Sequence, residues 1–151
     1  MKYKLKELTF DNLKLNNFTT HTTNFGKIYN LNECIEFQTP KVKIISITDD
    51  YLTLQILPSE ACRIFFTKIH EFETTLKNIF ENLPVLSIFE NDTFKIKIKN
   101  KTFKIYLNGN LFNIYHLKTG MDIICLVSIS RLWVNDKVKF NLKVNEMLIK
   151  S

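Results

Sequence analysis

The segment Gly120–Ile149, GMDIICLVSISRLWVNDKVKFNLKVNEMLI, constrains the fold more than any other stretch of the chain. A glycine turn opens it. A long apolar strand follows and ends in Arg131-Leu132-Trp133. The polar pair Asn135-Asp136 then turns the chain into an alternating basic strand, so the segment reads as a β-hairpin. One Trp stands near its tip, with the cations Arg131, Lys137, Lys139 and Lys143 around it. The two-residue period also governs the sequence upstream. Phe94–Lys99 is FKIKIK, Thr102–Leu107 is TFKIYL, and Leu111–His116 follows after a turn at Asn108-Gly109-Asn110. From Thr93 onward the chain is nearly all strand.

The earlier part is less regular. Short strands are expected near Tyr3–Leu8 and Asp11–Leu15, followed by loop to residue 33. Cys34–Ile47 reads as a strand bent at Pro40, since proline has no amide to donate to a ladder. Tyr51–Leu57 alternates cleanly. Pro58-Ser59 then begins the only strong helix, with Ser59 as N-cap and Glu60 in its first turn. Ile64, Phe65, Ile69, Phe72, Leu76, Ile79, Phe80 and Leu83 recur at three and four residues and form one apolar stripe. Pro84 stops it. The helix should lie on a sheet or plug the end of a barrel. About eight strands around one central helix make a mainly-β domain, and no period of 20–50 residues points to a solenoid or propeller.

With 151 residues, the chain fits one domain and can bury a core without disulfide or metal. Its three cysteines, Cys34, Cys62 and Cys125, are odd in number, widely spaced and set in apolar surroundings, and they read as reduced, buried thiols of an intracellular protein. The N-terminus has no apolar run of signal-peptide length, and no stretch approaches a membrane span. The expectation is therefore a protein that is not secreted and has no membrane partner.

Charge is placed unevenly. Residues 93–151 hold eleven basic and three acidic residues, whereas residues 1–92 hold ten and twelve, so the net +6 comes entirely from the C-terminal part. Such asymmetry favours an anionic partner, with nucleic acid the commonest. A two-residue turn at Asn100-Lys101 would pair Phe94–Lys99 with Thr102–Leu107 as a hairpin, with Lys97 opposite Lys104 and Lys95 opposite Tyr106. One face would then be core. The other would carry Lys95, Lys97, Lys99, Lys104 and Tyr106. Like charges set opposite each other destabilise a sheet, which suits a face that meets phosphate. Lysines on an edge strand also resist aggregation, and that reading is about as good. Tyr106, Tyr115 and Trp133 lie on or near the ends of the basic strands, where bases could stack, although a lone Trp in an apolar strand, as Trp133 is, more often packs into the core.

No catalytic constellation competes with this surface. There is no phosphate-binding glycine loop, no nucleophile elbow and no HExxH helix. His21, His70 and His116 are far apart and share no metal-ligand spacing with any cysteine. No enzyme activity, metal or cofactor is expected.

Four segments together carry a family resemblance: QTPKVKI at Gln38–Ile44, LTLQI at Leu52–Ile56, the helix IFFTKIHEFETTLKNIF at Ile64–Phe80, and Gly120–Ile149. In spacing and residue class they resemble the OB-fold single-stranded-DNA-binding proteins of nucleocytoplasmic large DNA viruses and related proteins of phages and other large DNA viruses. The resemblance covers roughly Glu36 to the end and implies an OB-like Greek-key β-barrel with extra strands; residues 34–151 are the expected domain, and residues 1–33, which have no counterpart in the resemblance, an extension packed on it. It implies a protein that coats single-stranded DNA in viral replication, recombination or repair, in the host nucleus or cytoplasm. Lys95, Lys97, Lys99, Lys104, Arg131, Lys137 and Lys139 would meet phosphates, and Tyr106, Tyr115 and Trp133 would stack on bases. RNA is a second candidate ligand, and edge strands could pair subunits into a homo-oligomer. The competing reading is a protein-interaction or virion-associated module on the same scaffold without nucleic-acid binding.

Overall fold

The computed structural model describes residues 2–98 and 102–150. Twelve strands form one sheet among them: β1 (Lys2–Tyr3), β2 (Phe18–Thr23), β3 (Gly26–Gln38), β4 (Val42–Ile47), β5 (Tyr51–Ile56), β6 (Phe89–Glu90), β7 (Thr93–Lys97), β8 (Lys104–Leu107), β9 (Asn110–Leu111), β10 (Asp122–Val134), β11 (Val138–Phe140) and β12 (Leu142–Lys150). The helix α1 spans Glu60–Ile79. The chain is mainly β with one helix.

The organising strand is β10, thirteen residues long. One of its edges pairs with β12 and then β11; the other pairs with β3 and then β4. β4 continues to β5, β5 to β7, and β7 to β12. The pairings β10–β4–β5–β7–β12–β10 therefore close a five-strand ring. β11, β3 and β2 flank the far half of β10 outside that ring and form a four-strand antiparallel wing. Two irregularities in β10, at Leu126/Val127 and Ile129/Arg131, bend it between the two regions.

The inward side of ring and wing carries the core. In β10, Ile123, Cys125, Val127 and Ile129 are buried, and past the second irregularity Leu132 and Val134 take over that side. Helix α1 packs onto this core. Ser59 caps it, its Oγ accepting from the Cys62 amide at 3.1 Å. Cys62, Phe65, Ile69, Phe72 and Leu76 are buried on one stripe. The Phe65 and Phe94 rings are centred 5.1 Å apart, and Phe72 sits 4.9 Å from both Phe10 and Phe140. Tyr29 in the wing meets Phe80 at 5.1 Å. The helix thus lies across the inner side of the sheet, joining ring to wing.

Several local expectations change. The strands expected at Tyr3–Leu8 and Asp11–Leu15 are absent; Leu5–Glu7 and Leu15–Asn17 are single 3-10 turns, and only Lys2–Tyr3 pairs, parallel to β3. The stretch read as loop contains β2 and the first half of β3, a hairpin closed at Gly26. Threonine's branched side chain suits a strand even where both neighbours are polar, so the absence of apolar alternation concealed it. The expected division at residue 33 falls inside β3, and Leu8, Phe10, Phe18 and Leu31 share the core with the rest. Cys34–Ile47 does bend at Pro40, where the chain passes from β3 to β4 along the same edge of β10. The strand expected at Leu111–His116 is two residues of β9 and then a 3-10 turn at Ile114–His116. Asn108 and Gly109 both have positive φ, so the β8–β9 turn is the tight one their types favour.

Candidate nucleic-acid interface

The alternation in β7 places its residues as expected: Phe94, Ile96 and Ile98 are buried, while Lys95 and Lys97 face outward. Its partner is not β8. β7 pairs antiparallel with β5 and parallel with the start of β12, and β8 pairs parallel with the end of β12. The expected Lys97–Lys104 and Lys95–Tyr106 pairs do not form. Lys97 instead lies between Tyr51 and Lys143, and Lys104 lies beside Glu146. The Asn100-Lys101 turn and Lys99 lie outside the described residues. Alternation settles which side a residue faces but not which strand lies next to it, and closing the ring inserts β12 along both β7 and β8.

The observed pairing gathers a different set of cations. One row of outward positions crosses five strands: Tyr51, Lys97, Lys143, Ser128 and Glu36. A second row crosses the wing as Lys139, Trp133, Ile28 and His21. Trp133 is half-buried where the rows approach. The Lys97 ammonium is 5.6 Å from the centroid of its ring and the Arg131 guanidinium carbon 5.9 Å, both within cation–π range. Arg131 is aimed by Asn30, whose Oδ1 accepts from Arg131 Nε at 2.8 Å. Lys95, opposite Thr53, extends the face into a cleft lined by Tyr51, Ser87, Phe89, Lys139 and Asn141.

Six outward side chains therefore share one face: Lys95, Lys97, Arg131, Trp133, Lys139 and Lys143. Five were candidates from sequence. Lys143 and Tyr51 were not, although Lys143 keeps the outward phase of β12 between buried Leu142 and Val144. Lys137 is exposed in the β10–β11 turn at the edge of this face.

The face changes character toward the other end of β12. Asn145 Nδ2 donates to Glu36, and Glu146 stands beside Leu126 on one side and Lys104 on the other. Past these acids the outward row is apolar: Ile124, Leu148, Tyr106 and Leu111. Lys104 and Tyr106 are thus set apart from the Trp133 cluster, about 10–17 Å along β12 from Lys143 at 3.3 Å per residue. Tyr115 is 77% exposed on the 3-10 turn that follows β9 in the chain.

Among the described residues, no group of three or more His, Cys, Asp or Glu side chains is arranged to hold a metal, and no helix is long and apolar enough to cross a membrane. Complete burial pushes the Cys125 thiol far above the usual range.

No family model matches the sequence, and no curated protein matches it. Solved structures do. The fold is shared with bacteriophage T7 gp2.5. That protein is a single-stranded DNA binding protein encoded by the phage; the similarity covers 76% of this chain and 90% of gp2.5, at a TM-score of 0.56 and 12% identity. At that identity the likeness is one of fold.

Proposed function

We propose that this protein binds single-stranded DNA without strong sequence preference, through the face centred on Trp133, on an OB-like Greek-key barrel with extra strands. The observation that carries the proposal is the placement of Lys97 and Arg131 over the Trp133 ring, with Lys95, Lys139 and Lys143 on the same face. The ring order β4–β5–β7–β12–β10 supports the barrel reading. In it, β5 and β7 are the second and third barrel strands, whose outward side binds oligonucleotides in OB folds, and Asn135–Asn141 joins the fourth strand to the fifth. Tyr51, Thr53, Lys95 and Lys97 lie on that side, and Lys137 and Lys139 on that connection. The fold shared with a phage single-stranded DNA binding protein supports the same reading and suggests a role in viral DNA replication, recombination or repair.

In the bound state, bases stack on Trp133 and on Tyr51, while the cations meet phosphates. Lys97 shifts from the indole face onto the backbone as a base takes its place. The chemistry is charge neutralisation plus stacking, and it needs no side chain to transfer a proton or form a bond. Lys104, Tyr106 and Tyr115 are contacts only for a strand long enough to pass Glu146.

The test is a salt-titrated binding measurement with oligo-dT, duplex DNA and RNA in parallel. Oligo-dT affinity should fall with a log–log slope of about −0.7 for each phosphate neutralised. Undetectable oligo-dT binding at low salt, or displacement of the single strand by duplex, rejects the proposal.

A further inference from the structure

The β2–β3 hairpin, which sequence left as loop, extends the outward face beyond Trp133. Its register carries each row one or two strands further: Trp133 to Ile28 to His21, and Arg131 to Asn30 to Thr19. Thr19–Thr23 of β2 are all exposed, and among the described residues β2 pairs with β3 alone. Residues 12–32 contain no Asp or Glu; their charges are Lys14 and Lys27. At the hairpin tip Phe25 is 89% exposed, more than any other large apolar side chain described.

The tip is also held in place. Gly26 has φ +136°, and a Cβ there would lie 2.6 Å from the Val134 carbonyl oxygen and 3.0 Å from Asn135 Cβ. The β2–β3 tip therefore abuts the β10–β11 turn, the turn that carries Lys137. An exposed aromatic and an exposed cation stand on two adjoining hairpin tips. Phe25, in the tip turn, is three residues from Ile28, which is level with Trp133, and so at most about 11 Å from it along the chain.

We infer that the wing is a second nucleic-acid contact: a single strand leaving Trp133 runs along Asn30, Ile28 and His21 and stacks a further base on Phe25, with Lys137 at its phosphate. This deepens the proposed function and rests on it. Residues 12–32 set no carboxylate against a polyanion, the adjoining tip carries Lys137 together with Asp136, and an exposed Phe costs hydration that a stacked base would relieve. The open edge of β2, which among the described residues pairs with β3 alone, offers free backbone groups along the same path.

The experiment compares Phe25→Ala with the native chain on oligo-dT of about 4 and about 12 nucleotides, lengths that span the site of one OB fold. Two signals are read: anisotropy of labelled DNA, and fluorescence of Trp133, the single Trp of the chain. The expected result is about tenfold weaker binding of the longer strand, unchanged binding of the shorter, and full Trp133 quenching at saturation with both. Equal affinities of variant and native protein at both lengths overturn the inference while leaving the Trp133 site standing. A changed oligomeric state with affinities kept also overturns it, assigning the tip to contacts between copies. If the native chain binds neither oligonucleotide, the Trp133 site itself fails, and the inference fails with it.

Discussion

Lys97 and Trp133 meet across the junction of ring and wing, the ammonium 5.6 Å from the ring centroid, although β7 and β10 share no ladder. β12 lies between them: Lys97 is in register with Lys143, and Lys143 with Ser128 of β10. The contact puts a cation and the chain's single indole on one outward face. It also sets Lys97 and Lys143 side by side, an unfavourable like-charge neighbour that a bound phosphate would relieve.

Lys97→Glu should weaken oligo-dT binding by tenfold or more and reduce the magnitude of the log–log salt slope by about 0.7. Lys104→Glu should do less, because Lys104 stands beside Glu146, away from the Trp133 cluster. The pair is measured by anisotropy over a salt series with denaturation midpoints in parallel. Equal effects of the two substitutions would dissolve the distinction between the two ends of the face.

Trp133→Ala should cost about 1–3 kcal/mol of binding and Trp133→Phe noticeably less, since a smaller ring still offers a stacking face. The native protein should lose Trp fluorescence as DNA is added. A signal unmoved at saturating oligo-dT would place the indole away from the bases.

Gly26→Ala should destabilise the fold by more than about 1 kcal/mol, since a side chain there combines a positive φ with a 2.6 Å approach to Val134 O. Phe72→Ala, which empties a fully buried site between Phe10 and Phe140, should cost more, about 3–5 kcal/mol. Urea unfolding measures both. A Gly26→Ala midpoint equal to the native one would show that the two hairpin tips do not abut.

The thiols should separate by reactivity. Cys34 is exposed and should react with a thiol reagent in the native state, whereas Cys62 and Cys125 should react only on unfolding. Burial raises the Cys125 thiol pKa in the folded state. The unfolded chain therefore loses that proton first, near the ordinary thiol pKa of about 8.5, while the folded chain keeps it. The contribution to stability is fully present below that pH and declines as pH rises above it. Cys125→Ala should flatten this decline, whatever its baseline stability, in denaturation curves taken from about pH 7 to 10. An unchanged slope would mean that the thiol is not sealed from water.

Much of the local structure could be read from residue types. The stripe from Phe65 to Leu76 predicted α1, Ser59 its cap, and Pro84 a stop shortly after its end. Alternation put Lys95 and Lys97 outside with Phe94 and Ile96 inside, and Asn135-Asp136 marked the turn that brings Lys139 opposite Trp133. The fold class followed from these elements. The hairpin β2–β3 did not, because FTTHTT has neither apolar alternation nor a charge to reveal its side.

The neighbours of each strand were a different matter. Proximity in sequence pointed to β7 and β8 as a hairpin, yet both lie along β12, whose start takes one and whose end takes the other. By itself the sequence determined which residues face outward, which form the helix, and that the excess of cations over acids lies in the C-terminal part. Only the tertiary structure decided that Lys97 meets Trp133 and Lys143 while Lys104 meets Glu146. A period of two fixes the side of a side chain, whereas its neighbours depend on which distant strands complete the hydrogen bonds of a closed ring.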